Sequence, residues 1–196
     1  GGPEGIATID IAIETLKVSE YLTPLLKAKL GAKGDVVLVG CGCPKRGMGW
    51  YHLTQLLEMP NVVMKAVVEP FYLGPGGSAP GAKEFMEMKT EYEAKGVAFY
   101  SSIGDMPAAT GPTCALIAGR TGANPKFFAE CIDKGVQNIY LEKPGAPSVG
   151  ALEEMKTLAD SKGVKVFLGY NKNVTDYVTQ ARAFEAKTPG ATTTVI

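Results

Sequence analysis

The sequence predicts an α/β chain with a Rossmann-like, doubly wound parallel sheet and helices on both faces, preceded by a helical extension. Three observations predict it. From Asp35 onward, short β-branched runs alternate with amphipathic helical segments, the pattern of βα units and a parallel sheet. The runs are nearly continuously apolar, as strands covered on both faces must be. Helical segments stop at Gly96, Gly135 and Gly163, and a glycine past a helix C-terminus takes positive φ without strain.

The elements follow in order. Ile9, Ile13 and Leu16 share a face at i, i+4, i+7, and Leu22, Leu25, Leu26 and Leu30 continue an apolar stripe. Thr23 can cap and Pro24 suits a first helical position, so two helices are expected to meet there, with Gly31 and Gly34 ending the second. This extension is read as packing or as an oligomer surface, since nothing in it carries chemistry. Strands are expected at Val36–Val39, Val62–Val68, Val97–Tyr100, Cys114–Ala118, Asn138–Leu141 and Lys165–Leu168. Helices are expected at Gly49–Met59, Ala82–Lys95, Pro125–Lys134 and Val149–Lys162. The Gly/Pro-rich stretch Pro70–Gly81 reads as a long surface loop, because the alternation continues beyond it. The domains read as 1–34 for the helical extension, 35–187 for the sheet domain and 188–196 for the start of a further, truncated domain.

Composition excludes several classes. Lys plus Arg and Asp plus Glu balance at 20 each, and no run of like charge occurs, so a nucleic-acid partner is not expected. Four cysteines, Cys41, Cys43, Cys114 and Cys131, are too few for a disulfide scaffold and suit a reducing compartment. No apolar run reaches the ~18 residues of a membrane span. Gly1-Gly2-Pro3-Glu4 offers no basic region before an apolar core, so no signal peptide is expected and the cytoplasm is the expected location.

Chemistry concentrates first in VLVGCGCPKRGMGWYH, Val37 to His52. A strand, a glycine-rich turn and a helix in that order suit a dinucleotide, whose pyrophosphate is met by unpaired N–H groups and the partial positive charge of the helix N-terminus. Gly40 and Gly42 supply the first pair of glycines; Lys45 stands where the strict spacing wants the third, and Gly47 follows two residues late, just before Met48. Glu69 ends the next strand about 20 residues further on, where a carboxylate accepts from the adenosine ribose hydroxyls and repels a 2′-phosphate. That places NAD ahead of NADP, while Lys45 and Arg46 in the expanded loop keep NADP as the alternative. Two rival readings fail on residue type. Met48-Gly49 replaces the Lys-Ser/Thr of a phosphate-binding P-loop. A zinc site needs four ligands at usable spacing, and Cys41-x-Cys43 has no second pair, so no metal is expected. His52 reads as a packing or capping residue.

The second constellation is Glu142-Lys143-Pro144 after the fifth strand, at the sheet edge where ligands bind in open α/β folds. Proline biases Lys143 away from helical angles. A lysine held there can hydrogen-bond a substrate oxygen and offset charge on an alkoxide during hydride transfer.

Taken together, GCG…RGMGWYHL, VVMKAVVEP, PTCALIAGR and YLEKPGAPSVGALEEMKTLADSKGVKVFLGYNKN resemble the N-terminal half of the Gfo/Idh/MocA oxidoreductases, from about Asp35 to the chain end. The resemblance implies that Gly40, Gly42 and Gly47 line the pyrophosphate and that Glu69 holds the adenosine ribose. It implies that Gly119, Arg120 and Thr121 pass the nicotinamide side, that Glu142 and Lys143 form the family's Glu-Lys-Pro with Lys143 touching substrate and cofactor, and that Tyr170 and Asn171 lie near the nicotinamide. The chain departs from the family in its expanded phosphate loop and in GRTGANPKFF, which lacks the histidine often found after the fourth strand. Family enzymes carry a second domain that completes the substrate pocket; Thr192–Ile196 reads as its first strand, and the rest is expected to be missing. The expected activity is hydride transfer between NAD(P) and a sugar, cyclitol or related hydroxyl or carbonyl compound, with Lys143 polarising the oxygen. The alternative is a dinucleotide-binding or sensing module without turnover.

Overall fold

The computed structural model describes residues 34–170, 175–190 and 192. They fall into two compact units: 34–169, and a second holding 170, 175–190 and 192. The two helices expected within residues 1–30 and the strand expected at Thr192–Ile196 lie outside the described residues, the latter but for Thr192. The expected domain 35–187 spans parts of both units.

The first unit runs β1 (Gly34–Val39), α1 (Met48–Glu58), β2 (Val62–Val68), α2 (Ala82–Glu93), β3 (Ala98–Tyr100), β4 (Thr113–Ile117), a 3-10 turn (Thr121–Ala123), α3 (Asn124–Asp133), β5 (Asn138–Leu141), α4 (Val149–Lys162) and β6 (Lys165–Leu168). The strands pair in the order β3-β2-β1-β4-β5-β6, all parallel, so the chain winds outward from β1 in both directions. Every expected strand and helix of this unit is present, with ends shifted by a residue or two. The second unit contributes α5 (Asp176–Lys187), a helix the sequence reading did not single out. Its segment DYVTQARAFEAK has a weak apolar stripe; its helical signals are Asp176 in the first turn and Lys187 in the last, which suit the helix dipole.

Successive residues of a strand point to opposite faces, and β1 divides the core accordingly. Val36 and Leu38 face one side, where Leu53 of α1 and Phe85 and Met88 of α2 cover the sheet with Met64, Val67 and Leu116. Val37 and Val39 face the other, with Phe128, Cys131 and Ile132 of α3 and Met155 and Ala159 of α4. Both layers are needed because a parallel sheet has no face it can leave wet. Leu53, Phe85 and Phe128 are fully buried, and truncating any of them to alanine removes about 2–5 kcal/mol of packing and transfer energy.

Register places the strand ends in one line. Val39 pairs with Val68 on one side and Ile117 on the other, and Ile117 pairs with Leu141, which pairs with Leu168. The ladder extends one residue beyond: Gly40 N–H donates to Val68 C=O at 2.8 Å, Ala118 to Val39 at 2.8 Å and Glu142 to Ile117 at 2.9 Å. Gly40, Glu69, Gly119 and Glu142 therefore emerge side by side at the C-terminal edge.

The turn from β1 into α1 depends on backbone approach. A Cβ on Gly49 would stand 2.0 Å from Gly40 O, and one on Gly40 would stand 2.7 Å from Gly119 Cα. No side chain fits at either position. Gly150, inside α4, has open space around its Cβ direction. Gly49→Ala is therefore expected to destabilise by about 3 kcal/mol or more through overpacking. Gly150→Ala is expected to stabilise by about 0.5–1 kcal/mol through lower unfolded-state entropy. Urea unfolding midpoints compare the two; equal shifts would overturn this account of the turn.

Candidate functional site

A cleft of about 610 Å³ opens at the C-terminal edge between the ends of β1, β2 and β4. Its floor is the β1–α1 loop. Cys43 C=O accepts the Arg46 N–H at 3.1 Å, closing a turn that absorbs the extra residues, with Lys45 at φ +62°. That conformation costs a non-glycine residue about 1–2 kcal/mol. Gly47 caps α1 at φ +86° with no side-chain acceptor, and no acidic residue lies in the first turn. The N–H groups of that turn thus present their partial positive charge to the cleft with no side-chain cap among the described residues. By contrast, α4 is capped by Ser148, whose Oγ accepts the Ala151 N–H at 3.2 Å. Glycine roles differ from the sequence reading in one respect. The glycine that lets helix and strand pack closely is Gly49, four positions after Lys45, while Gly47 has open space beside it and serves as the cap.

Glu69 forms the next wall and is 3% exposed. Its Oε2 accepts the Gly42 N–H at 2.7 Å, and its Oε1 accepts from Phe71 at 3.0 Å and Tyr72 at 3.4 Å. A buried carboxylate needs such donors, since desolvating an unpaired charge is costly. Two oxygens offer about four acceptor sites, so one remains for a ligand hydroxyl. The loop after β2 folds over this carboxylate. Tyr72 stacks on Phe85 with ring centres 5.2 Å apart and donates to Pro80 C=O at 3.2 Å. Its hydroxyl is pushed up to about 12, first by a hydrogen bond with Cys43 and then by burial. Arg120, after β4, lays its guanidinium 5.2 Å from the Phe71 ring centre, closing the cleft from the opposite wall by a cation–π contact.

Beside the cleft lies the Glu142–Gly145 turn. Lys143–Pro144 is a cis peptide, and Glu142 C=O accepts the Gly145 N–H at 3.0 Å. Glu142 Oε2 accepts the Lys143 N–H at 3.2 Å, and Oε1 lies 2.7 Å from His52 Nε2. From the other side Asn124, 1% exposed at the head of α3, donates through Nδ2 to Gly145 C=O at 3.0 Å. Lys143 itself is exposed.

The cleft gathers Gly40, Gly42, Arg46, Gly47, Met48, Glu69, Gly119 and Arg120. Lys45 lies on the exposed outer side of its turn and Thr121 in the 3-10 turn, neither lining it. Glu142 and Lys143 occupy the neighbouring turn. Tyr170 belongs to the second unit, and Asn171 lies outside the described residues. Sequence reasoning missed Gly49, Phe71, Tyr72 and Asn124. Phe71-Tyr72, one proline beyond Glu69, was a usable signal, since two adjacent aromatic residues stand out in a Gly/Pro-rich loop. Asn124 gave none, because its partner is a backbone oxygen 21 residues away.

The chain matches the Gfo/Idh/MocA family model, described as an oxidoreductase family with an NAD-binding Rossmann fold, over residues 35–170, more than half its length. No curated protein sequence matches it. Among solved structures it is similar to GenD2 from gentamicin A biosynthesis in complex with NAD, at 20% identity over 78% of this chain and 39% of that one, TM-score 0.62. An NAD-binding protein from Listeria innocua matches at 22% identity over 81% and 42%, TM-score 0.59. Apo scyllo-inositol dehydrogenase from Lactobacillus casei matches at 16% over 80% and 42%, TM-score 0.61. Identities this low show a shared fold. The chain spans about two fifths of the length of each of these proteins.

Two outcomes follow from the burial of Glu69 and of the thiols. Glu69→Gln places an amide against donors, and is expected to cost about 1–3 kcal/mol in urea unfolding. A wild-type midpoint would show that the Gly42 bond is immaterial. Burial, then the Glu69 charge, pushes the Cys41 thiol up, and burial pushes Cys131 up to about 12. Thiolate is the reactive form, so at pH 8 both should resist Ellman's reagent in the native protein and react once it is denatured. Rapid native labelling of either residue, located by mass spectrometry, would contradict this.

Proposed function

We propose that this chain, which belongs to the Gfo/Idh/MocA oxidoreductase family, is the dinucleotide-binding part of an enzyme that moves hydride between a nicotinamide and a carbon bearing a hydroxyl or carbonyl group. The observation that carries the reading is the uncapped N-terminus of α1, set at the end of β1 and facing a cleft walled by Glu69 and Arg120. A pyrophosphate fits there because its charge meets the first-turn N–H groups where no side chain competes. The cleft volume lies within the ordinary range for cofactor sites, roughly 300–1,000 Å³.

Each residue then has a task. Gly40 and Gly42 bring the backbone close to the pyrophosphate, Gly47 opens the helix end, and Met48 leads its first turn. Glu69 holds the adenosine ribose with its remaining acceptor site, which favours NAD. Arg46, lining the cleft, meets a 2′-phosphate, and Lys45 adds positive charge from the outer side of the same turn, so that the two set how well NADP is tolerated. Gly119 and Thr121 border the path towards the nicotinamide; Arg120, expected from the sequence on that side too, is reassigned on its contact with Phe71, the two offering a flat cationic and aromatic pair to the adenine. The bound nicotinamide supplies the hydride donor or acceptor. Lys143, anchored through Glu142, binds the substrate oxygen and offsets its developing negative charge. Tyr170 and Asn171 complete the nicotinamide side. The substrate class is a sugar, cyclitol or related polyol, and the remaining pocket belongs to a further domain beyond 35–187. Four unpaired thiols suit a reducing, cytoplasmic setting.

Fluorescence titration tests the cofactor assignment. NADH should bind saturably with Kd below about 1 mM and more tightly than NADPH. Arg46→Gln should weaken NADPH more than NADH. Lys143→Met should leave NADH affinity within about threefold while abolishing turnover of polyols by the full-length enzyme. Absence of binding to either nucleotide at millimolar concentration would sink the reading.

A further inference from the structure

His52, the one histidine of the chain, does not line the cleft, yet it touches the lysine turn. It lies in the second turn of α1, the helix whose N-terminus faces the cleft. Its Nε2 is 2.7 Å from Glu142 Oε1, and the side chains are only 14% and 10% exposed. Glu142 Oε2 accepts the Lys143 N–H. Two hydrogen bonds therefore run from α1 through one carboxylate to the backbone of Lys143. An ionised carboxylate only accepts, so Nε2 carries the proton in either the neutral or the charged imidazole. Charge-assisted bonds of this kind are roughly twice as strong as neutral ones.

The pair occupies a built space. Tyr140 meets the His52 ring edge-on at 5.7 Å, and burial followed by the Glu142 charge pushes its hydroxyl up to about 12, which keeps it neutral. Gly169 borders the other side: a Cβ there would stand 2.7 Å from Tyr140 Oη and 3.2 Å from Glu142 Cδ. On the far side of the turn, Asn124 holds Gly145.

A lysine that must meet a reacting oxygen needs placement within tenths of an ångström relative to the cofactor. Here the helix that would seat the pyrophosphate also holds the carboxylate that anchors Lys143. We propose that His52 is a positioning residue: through Glu142 it ties the Lys143 turn to α1, so that cofactor and lysine are placed by one rigid element. This rests on the dinucleotide reading above, and it gives His52 a role that the sequence assigned only to packing or capping.

Amide hydrogen exchange at Lys143, with and without NADH, reads the link directly. In the wild-type protein NADH should slow that exchange by about tenfold. His52→Leu should raise the basal exchange by about tenfold, abolish the NADH response and weaken NADH binding by about three- to tenfold. His52→Gln should restore the response, because its amide nitrogen is as many bonds from Cβ as Nε2. If His52→Leu does not fold, Glu142→Gln, which keeps size and removes the charge, should show the same loss of response. His52→Leu with wild-type exchange and an intact NADH response would overturn the proposal. So would His52→Gln that is as defective as His52→Leu, since shape rather than the hydrogen bond would then matter. A wild-type protein that binds no NADH overturns the functional reading and this inference together. Binding with an unchanged response in His52→Leu overturns the inference alone.

Discussion

Three backbones meet at the end of β1, and the rest of the site depends on that meeting. Gly40 touches Gly119 of the β4 end, and Gly49 of α1 rests against Gly40 C=O. A methyl group at Gly40 or Gly49 would separate helix from strand or strand from strand. With them as glycine, α1 starts directly over the sheet edge, and its unpaired N–H groups are aimed at the cleft rather than at solvent. The extra residues of the loop do not disturb this, because they bulge outward as a turn closed between Cys43 and Arg46.

Charge is arranged around that geometry. One carboxylate, Glu69, is buried and accepts three backbone hydrogen bonds, and so holds the β1–α1 loop to the loop after β2. Arg46 and Arg120 occupy the walls. The cleft thus combines a satisfied internal anion with cationic edges and a positive helix end, an arrangement suited to a ligand with both hydroxyl and phosphate groups. A chain of zero formal net charge achieves this locally, which composition alone could not reveal.

The lysine turn is organised on the same logic. Its two anchors come from different helices, His52 from α1 and Asn124 from α3, and each contacts a polar atom rather than an apolar surface. Asn124 keeps one buried oxygen, Oδ1, without a hydrogen-bond partner among the described residues, a cost accepted where its amide clamps Gly145. Lys143 is left exposed while its main chain is held, which separates the position of the residue from the freedom of its ammonium group.

Much of the first unit was legible in the sequence because a parallel sheet imposes local signatures. Apolar runs such as Val62–Val68 and glycines such as Gly96, Gly135 and Gly163 mark strands and helix ends, and the last three all have positive φ in the structure. Glu69 and Glu142-Lys143-Pro144 were legible as strand-end residues for the same reason. What stayed hidden depends on contacts across long sequence separations. Gly49 could not be told from Gly47 by spacing, since only the approach of Gly40 C=O distinguishes them. Phe71 lay within a stretch read as a surface loop and Asn124 carried no reading, and only the guanidinium of Arg120 and the turn of Gly145 beside them give each a part. His52 read as a packing residue because its partner lies 90 positions away. Local hydrophobic period and backbone permissiveness are properties of neighbouring residues, so the sequence by itself determined the order of strands and helices and the strand ends that carry chemistry. Which side chains meet there was decided by the register of β1, β4 and β5, which only the folded sheet sets.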